Sequence, residues 1–206
     1  MQSHYDNELW GLTVNPRNMY EVCTGGGDNS LRIWDMRTNR QIKHCMIDKD
    51  FRAIDWSSDG NFIIIGSKFG KIYYISVEDM KIKESYESIF KNTDEKRWIQ
   101  ELKISPNAKM VAYGAHGGST QSKVEVLNIS PKDKKILSQY AVISPKISSS
   151  LTHLDWSEDN SSLVINSLAF ELKFINVDAK ALVSASSTKE IVWNTWTCLF
   201  GFPVQG

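Results

Sequence analysis

The chain has 206 residues, of which 41% are hydrophobic, 11% aromatic and 23% charged, a composition typical of a globular protein with ample core residues. Its 24 Lys and Arg residues balance its 24 Asp and Glu residues, so no overall charge favours nucleic acid or an anionic membrane as a partner. No apolar run approaches the roughly 20 residues that span a bilayer, and the first residues do not form a signal peptide. The three cysteines are few, odd in number and widely spaced, which is typical of buried thiols in a reducing compartment and not of a disulfide framework. Together with the lack of an apolar span and of a signal peptide, this indicates a cytoplasmic protein.

A short sequence pattern recurs along the chain. The pattern occurs at residues 54–60 and 154–160. It consists of Ile or Leu, then Asp-Trp-Ser, then any residue, then Asp, and finally Gly or Asn. Looser copies begin at residues 12, 102 and 191, so successive copies begin between 37 and 52 residues apart. Self-similarity at this spacing is typical of repeat proteins, in which each unit packs against its neighbours.

The first unit contains four short predicted strands, at Leu9–Val14, Tyr20–Thr24, Leu31–Asp35 and Gln41–Met46. The third of them alternates along its length with period two, as a strand does when its two faces differ. Four short strands, the third of which ends in Trp-Asp, are typical of one blade of a WD-repeat propeller.

The later units repeat this order of strands. The units are predicted at residues 8–47, 51–86, 98–143 and 150–183, with the start of a further unit at 190–206. The place of Trp34 is taken in the second, third and fourth units by Ile75, Leu127 and Ile175. The second strand of each unit is predicted to lie deep in its sheet, which explains the apolar runs at 62–65 and 163–165.

The sequence therefore predicts an all-β protein, a WD-repeat β-propeller of about four blades plus the start of a fifth. WD-type propellers commonly close with about seven blades, which need about 300 residues. The chain is thus predicted to be a fragment of a larger propeller, with the remaining blades of the same polypeptide as partners. An antiparallel sandwich is the alternative, but it requires neither the long period nor the repeated Asp-Trp-Ser.

Several motifs that could carry chemistry are better explained as turns. The glycines at 25–27 and 114–118 are predicted to supply positive φ in turns. Gly66–Ile72 resembles a phosphate-binding loop, but three residues instead of four separate its glycines, which favours a hairpin turn. Asp55 and Asp155 occupy equivalent positions in units that are not adjacent, so we expect turn or edge residues and not a catalytic carboxylate pair.

His4, Thr24, Asp28 and Trp34 are residue types that could form either a nucleophile relay or the structural hydrogen-bond network of a WD blade. The second interpretation is favoured because Asp28 follows three glycines in a predicted turn. The histidines and cysteines show no spacing typical of a metal site. We therefore predict no catalytic residue, no metal and no cofactor.

Three stretches resemble, in this order, the second propeller of the echinoderm microtubule-associated protein-like family: 8–12 (Glu-Leu-Trp-Gly-Leu), 151–157 (Leu-Thr-His-Leu-Asp-Trp-Ser) and 196–202 (Trp-Thr-Cys-Leu-Phe-Gly-Phe). The resemblance implies a tandem-propeller protein of the microtubule cytoskeleton whose propellers contact tubulin. It also implies a cytoplasmic location on the cytoskeleton, which includes the cytoskeleton of a cilium or flagellum. Family members bind the microtubule lattice largely through a coiled coil and a basic segment, and this sequence contains neither.

The resemblance makes tubulin or a microtubule-associated protein the expected partner, and tubulin is acidic. Because this chain is neutral overall, such a contact needs a local basic loop. Residues 91–98 are the first choice, with Lys91, Lys96 and Arg97 as cations and Trp98 as an aromatic anchor. The alternative is that these charges are only solvated and that Trp98 begins the core of the third unit.

Two other functions are compatible with a propeller. A WD-repeat scaffold in trafficking or in a ubiquitin-ligase adaptor would share every blade feature and differ only in its partner. A propeller enzyme would need convergent ionisable residues around the central channel, and the sequence offers no such set. We therefore expect a non-catalytic scaffold.

Overall fold

The computed structural model describes residues 4, 8–48, 50–91, 98–117 and 123–199. Within them, four antiparallel sheets of four strands follow one another along the chain, and the strands of each sheet pair in chain order. The first sheet contains β1 (Leu9–Val14), β2 (Glu21–Gly26), β3 (Ser30–Asp35) and β4 (Arg40–Met46). The second contains β5 (Phe51–Trp56), β6 (Phe62–Ser67), β7 (Lys71–Ser76) and β8 (Lys81–Glu87).

The third sheet contains β9 (Trp98–Ile104), β10 (Met110–His116), β11 (Val124–Ile129) and β12 (Leu137–Ile143). The fourth contains β13 (Leu151–Trp156), β14 (Ser162–Ser167), β15 (Leu172–Asn176) and β16 (Ala181–Val183). One 3-10 helical turn at Ala185–Thr188 follows. The architecture is all-β and propeller-like, and each of the four complete units predicted from the sequence encloses one sheet to within a residue.

The repeated Ser-x-Asp-Gly/Asn builds the turn between the first and second strands of a sheet. Ser57 donates its hydroxyl hydrogen to Asp59 (2.6 Å), and the same hydroxyl oxygen accepts the backbone N–H of Phe62 (3.0 Å). Gly60 adopts φ +79° in this turn, where glycine is unstrained. The copy that begins at Ser157 has the same bonds, with Asp159 as acceptor at 2.6 Å. The pattern recurs because each unit needs this hairpin.

The core lies between the sheets, since each sheet buries its faces against its neighbours. Separate apolar clusters join the first sheet to the second, the second to the third and the third to the fourth. Every residue of β6 and of β14 is buried, as predicted for the second strand of a unit. The first strands β1, β5, β9 and β13 pack side by side in this order, which makes them the inner strands.

The repeated Asp of the pattern lies on the edge strand of its sheet, β5 for Asp55 and β13 for Asp155, and it also joins that sheet to the next segment of the chain. Asp55 accepts the backbone N–H of Ile104 in the third sheet at 2.7 Å. Asp155 accepts the backbone N–H groups of Thr195 (2.9 Å) and Trp196 (2.7 Å). Each carboxylate therefore holds the chain segment that lies next to its own inner strand.

The start of the predicted fifth unit, 190–206, is described only to residue 199. Its backbone runs beside the fourth sheet, with an isolated bridge between Trp193 and Ser157. Asn194 donates its N–H to the carbonyl of Trp156 at 2.8 Å. This segment occupies the position of a further inner strand next to β13.

Three of the predicted turn glycines, Gly25, Gly26 and Gly114, lie in strands. Gly25 is within β2 and Gly114 within β10, and of the two stretches only Gly117 is described with positive φ. These glycines allow close approach between sheets: a Cβ on Gly25 would overlap the ring of Phe51, and a Cβ on Gly114 would lie 2.9 Å from a methyl carbon of Leu151. The prediction was wrong there because close packing, as well as turn geometry, selects glycine.

A buried carboxylate, Glu125, links the second and third sheets. Its side chain has no solvent exposure. It accepts hydrogen bonds from the hydroxyls of Tyr86 (3.0 Å) and Tyr113 (2.8 Å), the backbone N–H of Ile89 (2.9 Å) and the amide of Gln139 (2.8 Å). A buried carboxylate is tolerated when donors surround it in this way.

Large apolar side chains are exposed on the two outermost sheets. On the first sheet and its turns, Leu12 is 66% and Met19 75% exposed. In the fourth sheet, Phe170 in the turn between β14 and β15 is 79% exposed, and Leu199, which follows this sheet, is 57% exposed. In a closed propeller such faces are covered by adjoining blades.

Candidate functional site

The structure brings together the four residues predicted to form a network in the first sheet. Trp34 donates its ring N–H to the hydroxyl oxygen of Thr24 at 2.7 Å. The Thr24 hydroxyl lies 2.8 Å from Nε2 of His4, and Nδ1 of His4 lies 2.8 Å from a carboxylate oxygen of Asp28. Because Asp28 can only accept when ionised, the hydrogen bonds run in one direction from Trp34 through Thr24 and His4 to Asp28.

Asp28 is 6% exposed and has further donors close by. Ser30 donates its hydroxyl (2.8 Å) and its backbone N–H (3.1 Å), and Arg32 donates through Nη2 at 3.2 Å. Burial raises the pKa of this carboxyl, but the hydrogen bonds from His4 and Ser30 together lower it by more than burial raises it. The pKa therefore lies below its usual value. The Thr24 hydroxyl is enclosed by His4 and Trp34 and is not poised as a nucleophile. The structural role of this network stays a prediction.

The predicted partner-binding loop is described only in part. Lys96 and Arg97 lie outside the described residues. Lys91 is exposed, and its Nζ lies 2.5 Å from a carboxylate oxygen of Glu87. Trp98 begins β9 and is half-buried. The structure therefore gives Trp98 neighbours within the fold, in line with the alternative that it begins the third unit.

Trp98 belongs to a four-layer stack, formed by Trp10, Arg52, Trp98 and His116, which we call the arginine stack. The guanidinium carbon of Arg52 lies 3.8 Å from the ring centroid of Trp10 and 4.1 Å from that of Trp98. The ring of His116 lies 4.2 Å from Trp98 at an interplanar angle of 5°. The stack spans three sheets, since its members come from β1, β5, β9 and β10. Guanidinium groups pack favourably on aromatic faces in this manner.

A β-bulge at the same place in each inner strand positions these side chains. The pairing skips Trp10 in β1, Arg52 in β5, Gln100 in β9 and Thr152 in β13. Bulges bend a strand and redirect the extra side chain. The signal was present in the sequence, because these residues stand two places before four of the five repeat starts at 12, 54, 102 and 154.

A cavity of about 190 Å³, which we call the rim cavity, opens beside the arginine stack. Its lining includes Trp10, Arg52, Gln100, Glu101 and Lys103. Lys103 lies 3.6 Å from a carboxylate oxygen of Glu101. Burial raises the pKa of Glu101 to about 7, although Lys103 opposes the shift. This carboxyl can hold or release a proton near neutral pH.

Lys103 of β9 lies among carboxylates of the inner strands. Burial alone would lower the pKa of Lys103, but Asp55, Glu101 and Asp155 raise it above its usual value. Burial raises the pKa of Asp55 despite Lys103 and the N–H of Ile104. Within the described ranges, no three His, Cys, Asp or Glu side chains are grouped to hold a metal ion. In the same residues, no helix has the length and apolar character needed to cross a bilayer.

Sequence comparison places the chain beside proteins of one family. Residues 9–206 match the family described as the echinoderm microtubule-associated protein second beta-propeller. The whole chain is 27% identical to echinoderm microtubule-associated protein-like 2 of Mus musculus and covers 30% of it. It is 28% identical to the 77 kDa echinoderm microtubule-associated protein of Lytechinus variegatus and covers 29% of that protein. The chain thus spans less than a third of the length of these relatives.

Structural comparison finds the same kind of fold elsewhere. Hydrazine synthase of Kuenenia stuttgartiensis matches with a TM-score of 0.71 over 88% of this chain and 50% of that one. The two sequences are 16% identical, so this likeness concerns the fold alone.

Proposed function

The chain belongs to the family of the second β-propeller of echinoderm microtubule-associated proteins, and from this we propose that it is a non-catalytic scaffold of the microtubule cytoskeleton. The observation that carries the proposal is the family match over residues 9–206, together with relatives that are named as microtubule-associated. The scaffold contacts tubulin or a complex bound to microtubules. Its location is the cytoskeleton, as the names of the microtubule-associated relatives suggest.

The described ionisable groups support a scaffold more than an enzyme. Asp55 and Asp155 accept backbone N–H groups from the neighbouring inner strand, and Glu101 faces Lys103. Asp28 and Glu125 are surrounded by donors within the fold. These carboxylates are engaged in holding sheets together, which leaves no acid–base pair assembled around a nucleophile.

We propose two kinds of partner surface. The apolar faces of the first and fourth sheets are covered by further blades of the same polypeptide, because isolated faces of this kind are costly in water. The loop at 91–98 contacts tubulin through Lys91, Lys96 and Arg97. Lys91 is exposed and lies close to exposed Glu87, and such a pair is a weak interaction that a partner carboxylate can replace.

Co-sedimentation with microtubules tests the scaffold role in the full-length protein. We expect the wild type to pellet with microtubules, and failure to do so in low salt would remove the microtubule link. Charge reversal at Lys96 and Arg97 to Glu should slow association with tubulin, most strongly at low salt, since exposed charges mainly steer encounter. The matched control reverses Lys134 and Lys135, which are exposed in another loop, and should leave the rate unchanged.

A further inference from the structure

We propose that Arg52 is the anchor of a carboxylate-binding site at the rim cavity, which receives an acidic side chain from a peptide segment of a protein partner. The site goes beyond the proposed scaffold role, and it shares Trp98 with the loop at 91–98. It does not require tubulin to be the partner.

The stack covers the faces of the guanidinium and leaves its edge. Trp10 and Trp98 lie about 4 Å from the guanidinium carbon. The five N–H donors of a guanidinium point outward in its plane, so stacked rings do not satisfy them. Among the described residues, no carboxylate, carbonyl or hydroxyl oxygen accepts a hydrogen bond from Arg52. Within the described part of the chain, the rings therefore fix the orientation of a fork of donors that has no acceptor.

The carboxylates near Arg52 also lie near other cations or act on Arg52 only through their charge. Glu101 lies 3.6 Å from Lys103, and Asp50 lies 3.9 Å from Lys68. Glu8 and Asp50 attract Arg52 through their charges. Burial lowers the pKa of Arg52, which reflects the cost of taking a cation partly out of water.

The rim cavity suits one acidic side chain. Its volume of about 190 Å³ is below the roughly 300–1,000 Å³ of sites for small molecules. Its charged lining residues are Arg52, Lys103 and Glu101, so it offers two cations to an acidic side chain. The exposed ring of Trp10 offers an apolar wall for methylene groups. A planar guanidinium edge matches a carboxylate through two parallel hydrogen bonds.

Gln100 supplies a second donor in the same cavity. Its Oε1 accepts the ring N–H of Trp98 at 2.7 Å. This bond orients the amide, so that its NH₂ group is the end left to donate. Both Arg52 and Gln100 stand at the bulge of their strands, and the repeat geometry therefore brings the two donors to one cavity.

A fluorescent peptide of six glutamates, with a six-glutamine peptide as control, tests the site in the full-length protein. We expect the glutamate peptide to bind and the glutamine peptide not to bind. Arg52→Gln should weaken binding at least tenfold, and Arg52→Lys several-fold, because Lys keeps the charge without the fork. Arg37→Gln is the matched control: Arg37 lies over Tyr20 at 5.0 Å, but its N–H groups are already bonded to Asp35, so binding should be unchanged.

Gln100→Glu keeps the stack and separates binding from folding. The new carboxylate would reach the edge of Arg52 from inside the cavity, so peptide binding should be lost while the melting temperature is maintained or raised. Binding of the glutamate peptide that is equal in wild type, Arg52→Gln and Gln100→Glu would overturn the proposal, as would no binding by the wild type. Preference for a phosphoserine peptide or for single-stranded DNA over the glutamate peptide would also overturn it. If microtubule binding fails while the glutamate peptide still requires Arg52, the site stands and the proposed function does not.

Discussion

Asp28 in the first sheet and Glu125 in the third are both buried carboxylates surrounded by donors, but they stabilise different parts of the molecule. The partners of Asp28 are His4, Ser30 and Arg32, which belong to the first sheet and its adjoining segment. The partners of Glu125 come from two sheets and span residues 86–139. The contacts of Asp28 stay within one blade, whereas those of Glu125 connect neighbouring blades. The polar contacts therefore differ from blade to blade, and the structural role of the Asp28 network stays a prediction.

Removal of Glu125 is expected to have the largest effect. In Glu125→Ala, the hydroxyls of Tyr86 and Tyr113 and the N–H of Ile89 lose their acceptor in a buried site. Each orphaned donor costs about 1–3 kcal/mol, so we expect the free energy of unfolding to fall by about 3–5 kcal/mol. Urea denaturation of the full-length protein, followed by tryptophan fluorescence, measures this. Glu125→Gln is the matched control and should cost less, because it keeps the shape and one acceptor oxygen.

Removal of Asp28 is expected to have an intermediate effect. Asp28→Ala should lower the free energy of unfolding by about 1–3 kcal/mol, the range for orphaned hydrogen-bond partners. Its effect should remain smaller than that of Glu125→Ala, since the network closes one blade at the edge of the molecule. Partner binding should survive. Unchanged melting combined with lost binding would instead give Asp28 a functional role and break the comparison.

The smallest of the three expected effects on stability is that of acid on the Asp28 network. The pKa of Asp28 in the folded protein lies below its usual value of about 4, which we take for the unfolded chain. Its stabilisation is therefore complete above that unfolded pKa and is lost as the pH falls through the folded pKa. The melting temperature from pH 6 to pH 3 measures this. Below pH 4, the melting temperature of Asp28→Asn should fall less steeply than that of the wild type. Parallel curves for the two proteins would contradict a lowered pKa of Asp28 in the folded state.

The two networks also differ in how far the sequence predicts them. Thr24, Asp28 and Trp34 lie within eleven consecutive residues and belong to a pattern that defines the blade, so their proximity was predicted. The partners of Glu125 are tyrosines and an amide up to 39 residues away, with no spacing that marks them. The arginine stack was missed for the same reason, although the aligned repeats place Trp10, Arg52 and Gln100 at equivalent positions. Local repeats predict strands and turns, whereas contacts between sheets depend on how neighbouring units pack.

Cross-linking of the full-length protein on microtubules tests the central claim most directly, because it shows which residues of this chain lie next to tubulin. A lysine-to-carboxylate cross-linker with mass spectrometry should join Lys91 or Lys96 to acidic residues of tubulin. Lys134 and Lys135 serve as exposed lysines that should remain unlinked. Cross-links to tubulin that all arise outside this chain, or none at all on microtubules that retain the protein, would contradict a tubulin contact by this propeller.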